Sequence, residues 1–155
     1  MSRDAELGLL QIAIGNPLRG DDGAAHKLLQ LVPIGEQRSV LQLTPEIAAE
    51  IARFRTVVLI DADQSRTEPC IEPVVRLSAY ETPLAHAVSP AEVVGLAERL
   101  YGFSGSAFLC RLPAVDFGPG ERLSPFAEAG VHTAAAMLRK WLKSDHMAHR
   151  GKIGR

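Results

Sequence analysis

Two adjacent carboxylates, Asp21 and Asp22, follow the first apolar segment of the chain. Residues 9–14 are apolar apart from Gln11, which is typical of a strand buried on both faces. A short glycine-containing loop then leads through both aspartates into an apolar helical run, residues 24–31. Because a strand that feeds a helix through a short loop ends at the carboxyl edge of a parallel sheet, we predict that both carboxylates lie where open α/β sheets hold their ligands.

Helix capping is the simplest alternative for these carboxylates, since acidic residues at the N-cap and in the first turn satisfy free N–H groups and the helix dipole. Capping does not explain why two aspartates stand beside Asn16 and Arg19. A nucleotide site fits poorly, because the spacing is not G-x-G-x-x-G, no G-K-[ST] follows, and two carboxylates repel phosphate. The pair is better suited to a cation.

A third carboxylate, Asp61, ends the strongest strand signal of the chain, residues 56–60. This segment carries a β-branched residue at most positions, which indicates a central buried strand. A charge at the end of such a strand is costly unless it is paired or binds a metal. The alternatives are that Asp61 caps a turn or pairs with an arginine.

His86 lies in a loop, residues 79–88, that leads into a helix opened by Ser89 and Pro90. A single loop histidine is more often a surface residue than a ligand. The position of His86 before a helix, like that of the first carboxylates, separates it from the other histidines of the chain, His26, His132, His146 and His149.

In its motifs the chain resembles the hydrogenase maturation endopeptidases, which trim the C-terminus of the nickel-iron hydrogenase large subunit. The family's opening motif, Gly-x-Gly-Asn followed by a loop and Asp-Asp-Gly, matches residues 13–16 and 21–23, with Ala13 in place of the first glycine. An Asp-Ala pair at 61–62 and His-x-x-Ser-Pro at 86–90 follow in order. Further motifs of the family match residues 100–102, 116–121 and 123–125. The resemblance runs from about residue 9 to residue 142.

The resemblance implies a nickel-dependent endopeptidase that removes a C-terminal peptide from the large-subunit precursor. Asp22, Asp61 and His86 are then the catalytic residues and the metal ligands. Two oxygens and one imidazole nitrogen suit Ni²⁺ or Zn²⁺, and three protein ligands leave a position open for water or substrate. The family likeness implies that Ni²⁺ arrives with the precursor, while Zn²⁺ or Cd²⁺ could occupy the site in vitro.

Three further residues near the first carboxylates are candidates for substrate binding: Asn16, Arg19 and Asp21. Asp21 is also a candidate catalytic base, an assignment the sequence leaves open. Two other functions stay open as well. The protein could be a non-enzymatic nickel-binding escort of the large subunit, or a small-molecule hydrolase whose aspartates hold Mg²⁺. Magnesium prefers oxygen ligands, so a functional need for His86 would count against the second.

The elements that position these residues predict a three-layer α/β/α fold with a five-stranded, mostly parallel twisted sheet. The predicted strands are residues 9–14, 39–43, 56–60, 71–77 and 106–112. Helices are predicted at 24–31, from Thr44 onward with Thr44 as N-cap, from Ser89 to Tyr101, and from 125 to about 143. The connection before the fourth strand is too short for a parallel crossover, so we predict that this strand is antiparallel or at an edge.

The length of 155 residues predicts one domain, residues 1–143, followed by a flexible tail, residues 144–155. The net charge of −1 argues against nucleic acid or an anionic membrane as a partner. The two cysteines lie in no motif, no apolar run reaches the ~18 residues of a membrane span, and residues 1–6 lack the apolar region of a signal peptide. We therefore expect a cytoplasmic protein that acts as a monomer.

Overall fold

The computed structural model describes residues 7–75 and 88–153 of the chain. The strands are β1 (Leu7–Ile14), β2 (Glu36–Val40), β3 (Phe54–Asp63), β4 (Cys70–Pro73) and β5 (Ser106–Pro113). The helices are α1 (Ala24–Leu31), α2 (Ile47–Ile51), α3 (Pro90–Tyr101) and α4 (Pro125–Ile153). A single 3₁₀ turn, Gly20–Gly23, precedes α1.

All five strands form one sheet in the order β2-β1-β3-β5-β4. The neighbours β2, β1, β3 and β5 run parallel, whereas β4 runs antiparallel to β5 at the edge. Pro73 in β4 fits this position, because proline cannot donate to a neighbouring strand. The predicted fold class and the predicted antiparallel edge strand are confirmed.

Two separate hydrophobic cores, one on each face of the sheet, produce the three layers. Leu10 and Ile12 of β1 belong to the core beneath α2 and α3, while Ala13 belongs to the core beneath α1 and α4. Successive residues of a strand point to opposite faces, so a central strand covered on both faces must be apolar at nearly every position.

Gln11 is the polar exception in β1, and it is fully buried. Its Nε2 donates hydrogen bonds of 2.9 Å to the carbonyl oxygens of Val32 and Ile34, which follow α1. The amide nitrogen thus satisfies backbone acceptors of the α1–β2 connection, whereas Oε1 of the same amide has no hydrogen-bond partner among the described residues.

Local signals at two helices agree with the sequence. Ser89 caps α3 in a reciprocal capping box with Glu92, and Gly102 ends the helix in the left-handed conformation, φ 69°. At the start of α4, Ser124 Oγ accepts the Ala127 N–H at 3.1 Å. Within the described residues, no helix combines the length and the hydropathy needed to cross a membrane.

Several element boundaries differ from the prediction. β2 spans Glu36–Val40 instead of 39–43, because an edge strand needs few apolar residues and its polar sequence gave no signal. Thr44 makes no side-chain cap of α2, which spans only Ile47–Ile51 before β3 begins at Phe54. Helix α4 continues past 143 to Ile153, since no proline or glycine interrupts residues 144–150. β4 ends at Pro73, so residues 74–75 of the predicted fourth strand are not part of it, and residues 76–77 lie outside the described residues.

Candidate functional site

The carboxyl ends of β1 and β3 bring the loop that carries Asp22 beside Asp61. These strands are parallel neighbours with Ala13 paired to Ile60, so Asp61 follows directly where the chain of β1 turns into its loop. The charge of Asp22 raises the pKa of Asp61, which places the two carboxylates within electrostatic reach. Two of the three predicted ligands therefore lie near each other at the carboxyl edge of the sheet.

The pKa of Asp61 is raised to about 6. Burial is the main cause, and the negative charges of Asp22 and Asp63 add to it. The Ala62 N–H and the guanidinium of Arg111 lower the pKa, but not enough to offset these effects. Asp61 thus lies in surroundings that are short of positive charge, and a bound cation would relieve this shortage.

Arg111 lies opposite Asp61 in the register of β3 and β5, but its ion pairs are made elsewhere. Its guanidinium lies 3.1 Å from Asp63 Oδ2 and 3.2 Å from Glu72 Oε2. Within the described residues, no direct ion pair joins it to Asp61. Pairing with this arginine therefore does not explain the carboxylate at position 61.

The side chain of Asp22 is held by the residues that directly follow β1. Its Oδ2 accepts the Asn16 N–H at 2.7 Å. Gly15 has a φ of 137°, and a Cβ there would lie 2.1 Å from the Asp22 carbonyl oxygen and 3.1 Å from Oδ1. Only glycine allows this close approach. The Gly-Asn pair of the motif therefore positions the aspartate that comes six residues later.

Asn16 also shapes its own loop, because its Oδ1 accepts the Leu18 N–H at 2.9 Å. Arg19 is exposed, and its backbone forms an isolated parallel bridge with Gly120. The predicted substrate contacts of Asn16 and Arg19 stay predictions.

Asp21 is fully buried, and its carboxylate accepts four hydrogen bonds from Val115, Asp116 and Ser124. The structure thus gives Asp21 a role in the scaffold, and the predicted substrate contact would require this loop to open. Neither Asp21 nor Asp22 makes a side-chain cap of the 3₁₀ turn or of α1. Side-chain capping is therefore not seen for either residue, although both lie in the first turn of the 3₁₀ segment, as the dipole part of that alternative requires.

His26 is a residue near the site that the sequence did not single out. Its Nε2 lies 2.7 Å from the carbonyl oxygen of Gly15, and because a carbonyl can only accept, this nitrogen carries the proton. The signal available in the sequence was the spacing of four residues from Asp22, which places both at the same end of α1. His26 thus fixes the backbone of the glycine that contacts Asp22.

His86, the third predicted ligand, lies outside the described residues, which resume at Val88. In residues 7–75 and 88–153, no three side chains of the metal-binding types form a cluster. The complete ligand set of Asp22, Asp61 and His86 stays a prediction.

Solved structures show the same architecture. The hydrogenase maturation protease HycI from Thermococcus kodakarensis superposes with a TM-score of 0.64 at 19% identity, covering 89% of this chain and 94% of its own. The hydrogenase maturating endopeptidase HybD from E. coli gives 0.61 at 18% identity, with 90% and 94% covered. The chain has the fold of the hydrogenase maturation endopeptidases.

An uncharacterized protein from Wolinella succinogenes shares this maturation-endopeptidase fold, with a TM-score of 0.54, 25% identity and coverage of 92% and 99%. No protein-family model and no curated protein sequence matches the chain. Because the identities to the named proteases are low, these comparisons establish the fold, and the fold is the one that the sequence motifs predicted.

Proposed function

We propose that this protein is an endopeptidase that removes a C-terminal peptide from the precursor of a nickel-iron hydrogenase large subunit. The observation that carries the proposal is the proximity of Asp22 and Asp61 at the carboxyl edge of a maturation-endopeptidase fold, with the pKa of Asp61 raised to about 6. A fold can host many functions, so the acidic pair carries the functional argument.

The carboxylates of Asp22 and Asp61 are suited to contact a divalent cation that the substrate carries. Oδ2 of Asp22 accepts the Asn16 amide, and within the described residues no hydrogen bond occupies its Oδ1. Asp61 lacks a direct arginine partner in the same part of the chain. We propose that both carboxylates and the ring of His86 contact the Ni²⁺ that the precursor carries. A bound divalent ion supplies Lewis-acid polarisation of a carbonyl or activation of water.

The remaining residues of the site orient the pair and adjust its charge. Gly15, Asn16 and His26 fix the position of Asp22 through the contacts described above. Arg111 limits the excess of negative charge at Asp61 without neutralising it, because Asp63 and Glu72 share its guanidinium. This arrangement keeps a net attraction for a cation at the sheet edge.

The names of HybD and HycI describe maturation proteases, and this supports a peptidase. The large-subunit precursor as the partner, Ni²⁺ as the recognised metal, and Asn16 and Arg19 as substrate-binding residues are parts of the proposal. A substrate contact of Asp21 stays a prediction from the sequence, because its carboxylate is buried among scaffold donors. A cytoplasmic location and a monomeric state stay predictions from the sequence.

A cleavage assay with a nickel-loaded precursor tests the proposal. The precursor is incubated with the protein and its intact mass is measured. We expect the loss of a short C-terminal peptide, and no loss with Asp22→Asn, Asp61→Asn or His86→Ala. Glu128→Gln serves as the matched control, because Glu128 is an exposed carboxylate on α4 that pairs only with His132 among the described residues.

Two outcomes would contradict the proposal and identify the alternatives. An uncut precursor that forms a stable, nickel-dependent complex with the protein would indicate an escort. Mg²⁺-dependent hydrolysis of small phosphate esters that survives His86→Ala would indicate a small-molecule hydrolase, since Mg²⁺ prefers oxygen ligands.

A further inference from the structure

The carboxylate of Asp21 is fully buried, and it is surrounded by donors from a distant part of the chain. Its Oδ2 accepts the N–H groups of Val115 at 2.9 Å and Asp116 at 3.0 Å, together with Ser124 Oγ at 2.8 Å. Its Oδ1 accepts the Ser124 N–H at 2.7 Å. All four hydrogen bonds of this buried carboxylate come from one segment about a hundred residues away in the sequence. Asp21 therefore joins two distant segments of the chain.

Two loops meet at this point. The first loop, residues 15–23, carries Asp22, and the second loop, residues 114–124, connects β5 to α4. Backbone hydrogen bonds of 2.8 Å join them as well, from Gly20 N–H to the Gly120 carbonyl, from Gly120 N–H to the Leu18 carbonyl, and from Asp21 N–H to the Asp116 carbonyl. The loops are therefore fastened together by both backbone and side chain.

Only an ionised carboxylate fits the surroundings of Asp21. Three backbone N–H groups and one hydroxyl donate to its two oxygens, so neither oxygen is left to carry a proton. An asparagine would keep the volume but would direct an N–H at another donor, because both carboxylate oxygens accept hydrogen bonds. The site thus specifies an aspartate by its hydrogen-bonding pattern.

We propose that Asp21 is a positioning residue, which holds Asp22 at the sheet edge by fastening the first loop to the second. Asp22 directly follows Asp21, and on its other side it is held by the Asn16 N–H and by contact with Gly15. With these contacts on both sides, the Asp22 carboxylate has little freedom to leave the site. The proposal rests on the proposed function only in giving Asp22 a metal to contact.

Ser124, in the second loop, also helps to join the two loops. Its Oγ donates to Asp21 Oδ2 and accepts the Ala127 N–H at the start of α4. The Ser124 hydroxyl therefore links the first loop to the helix that covers one face of the sheet. Ser124→Ala removes this link while it leaves the three backbone donors to Asp21 in place.

Amide hydrogen exchange followed by NMR tests the positioning independently of any activity. The variants are Asp21→Asn, Ser124→Ala and the rescue variant Ser124→Thr, which keeps the hydroxyl. In Asp21→Asn we expect the amides of Asn16, Val115 and Ser124 to exchange at least about ten-fold faster relative to Leu59, an amide at the centre of β3. The Asn16 amide is decisive, because it donates to Asp22 Oδ2 and, within the described residues, makes no hydrogen bond to the Asp21 carboxylate.

Calorimetric titration with Ni²⁺ alone tests the consequence at a temperature where all variants are folded by circular dichroism. We expect Asp21→Asn to weaken Ni²⁺ binding about ten-fold, the range found for residues that orient metal ligands. Ser124→Ala should weaken it less and Ser124→Thr should restore it. Glu128→Gln, the exposed control, should bind Ni²⁺ like the parent protein.

The outcomes separate this proposal from the proposed function. Faster exchange at Val115 and Ser124 with an unchanged Asn16 amide would overturn the positioning role, and so would an unchanged Ni²⁺ affinity in Asp21→Asn. If the parent protein itself does not bind Ni²⁺, the metal site fails, and the Asn16 amide alone decides whether Asp21 positions Asp22. If Asp21→Asn does not fold, Ser124→Ala gives the same readouts with only one of the four hydrogen bonds to Asp21 removed.

Discussion

One peptide bond separates Asp21 from Asp22, yet their carboxylates belong to regions with opposite electrostatics. Asp21 lies in the donor-rich junction of the two loops, where four hydrogen bonds lower its pKa. Asp22 lies beside Asp61, in the acidic region where burial and neighbouring carboxylates raise the pKa of Asp61 to about 6. Ionisation of Asp21 therefore stabilises the folded protein, whereas ionisation of Asp61 destabilises it.

This difference separates structural acids from functional ones. A carboxylate saturated with donors has no further use for a cation, and its ionised form contributes to stability. A buried carboxylate that faces other carboxylates is destabilising unless something binds it, which is the usual condition of a functional site. The same residue type can thus be assigned to scaffold or site from its partners alone.

Substitutions in the acidic region should have the largest effect. Asp22→Asn and Asp61→Asn should each lower Ni²⁺ affinity by at least about 100-fold, since even residues that only orient ligands contribute 10–100-fold. Calorimetric titration with Ni²⁺ measures the affinity. Glu128→Gln is the control, and an affinity within two-fold of the parent in Asp61→Asn would show that this residue binds no metal.

Breaking the donor-rich junction should instead cost stability. Asp21→Ala leaves several buried donors without an acceptor, and we expect it to lower the free energy of unfolding by about 3 kcal/mol in urea denaturation. Because the folded pKa of Asp21 is lowered, its contribution is complete above the unfolded pKa and is lost as the pH falls through the folded value. The difference in unfolding free energy between the parent protein and Asp21→Ala should therefore be constant near neutral pH and become smaller below about pH 4.

Ser124→Ala weakens the same junction more gently. The hydroxyl supplies one hydrogen bond to Asp21 and the N-cap of α4, so we expect a loss of about 1.5 kcal/mol in urea denaturation. Ser124→Thr should recover most of it. A loss as large as that of Asp21→Ala would show that the backbone donors contribute little.

The smallest effect has the opposite sign. The pKa of Asp61 is raised in the folded state, so its ionisation lowers stability as the pH rises from the unfolded value toward and above 6. Asp61→Asn should thus raise the free energy of unfolding by about 1 kcal/mol at pH 8 and leave it unchanged at pH 4. Thermal unfolding in metal-free buffer at both pH values measures this difference.

Asp63→Asn should change stability in the opposite direction to Asp61→Asn. Hydrogen bonds from Ser65 and the pairing with Arg111 lower the pKa of Asp63, so its neutralisation should destabilise the protein where that of Asp61 stabilises it. Equal shifts of the same sign in both variants would contradict the electrostatic assignment of the two residues.

The sequence predicted the features that strong local patterns determine. The apolar segment of β3, the capping box of α3 and the short connection before β4 each predicted the element that the structure contains. The polar edge strand β2 and the extension of α4 to Ile153 carry no such pattern, and their bounds were misplaced.

For the site, the sequence placed Asp22 and Asp61 at the ends of two strands and separated Asp22 from Asp21 through the family resemblance, but it did not reveal that the Asp21 carboxylate is buried in the scaffold. This scaffold role depends on donors from Val115, Asp116 and Ser124, which are about a hundred residues away, and no local pattern contains that contact. The contact of His26 with Gly15 was missed because no motif distinguishes His26 from the other four histidines of the sequence.

The most direct test of the account is an anomalous diffraction measurement on crystals soaked in Cd²⁺. We predict one strong peak within about 2.0–2.5 Å of a carboxylate oxygen of Asp22, a carboxylate oxygen of Asp61 and a ring nitrogen of His86. The absence of a peak between the two carboxylates, or a peak held by other residues, would contradict the central claim that these side chains share one ion.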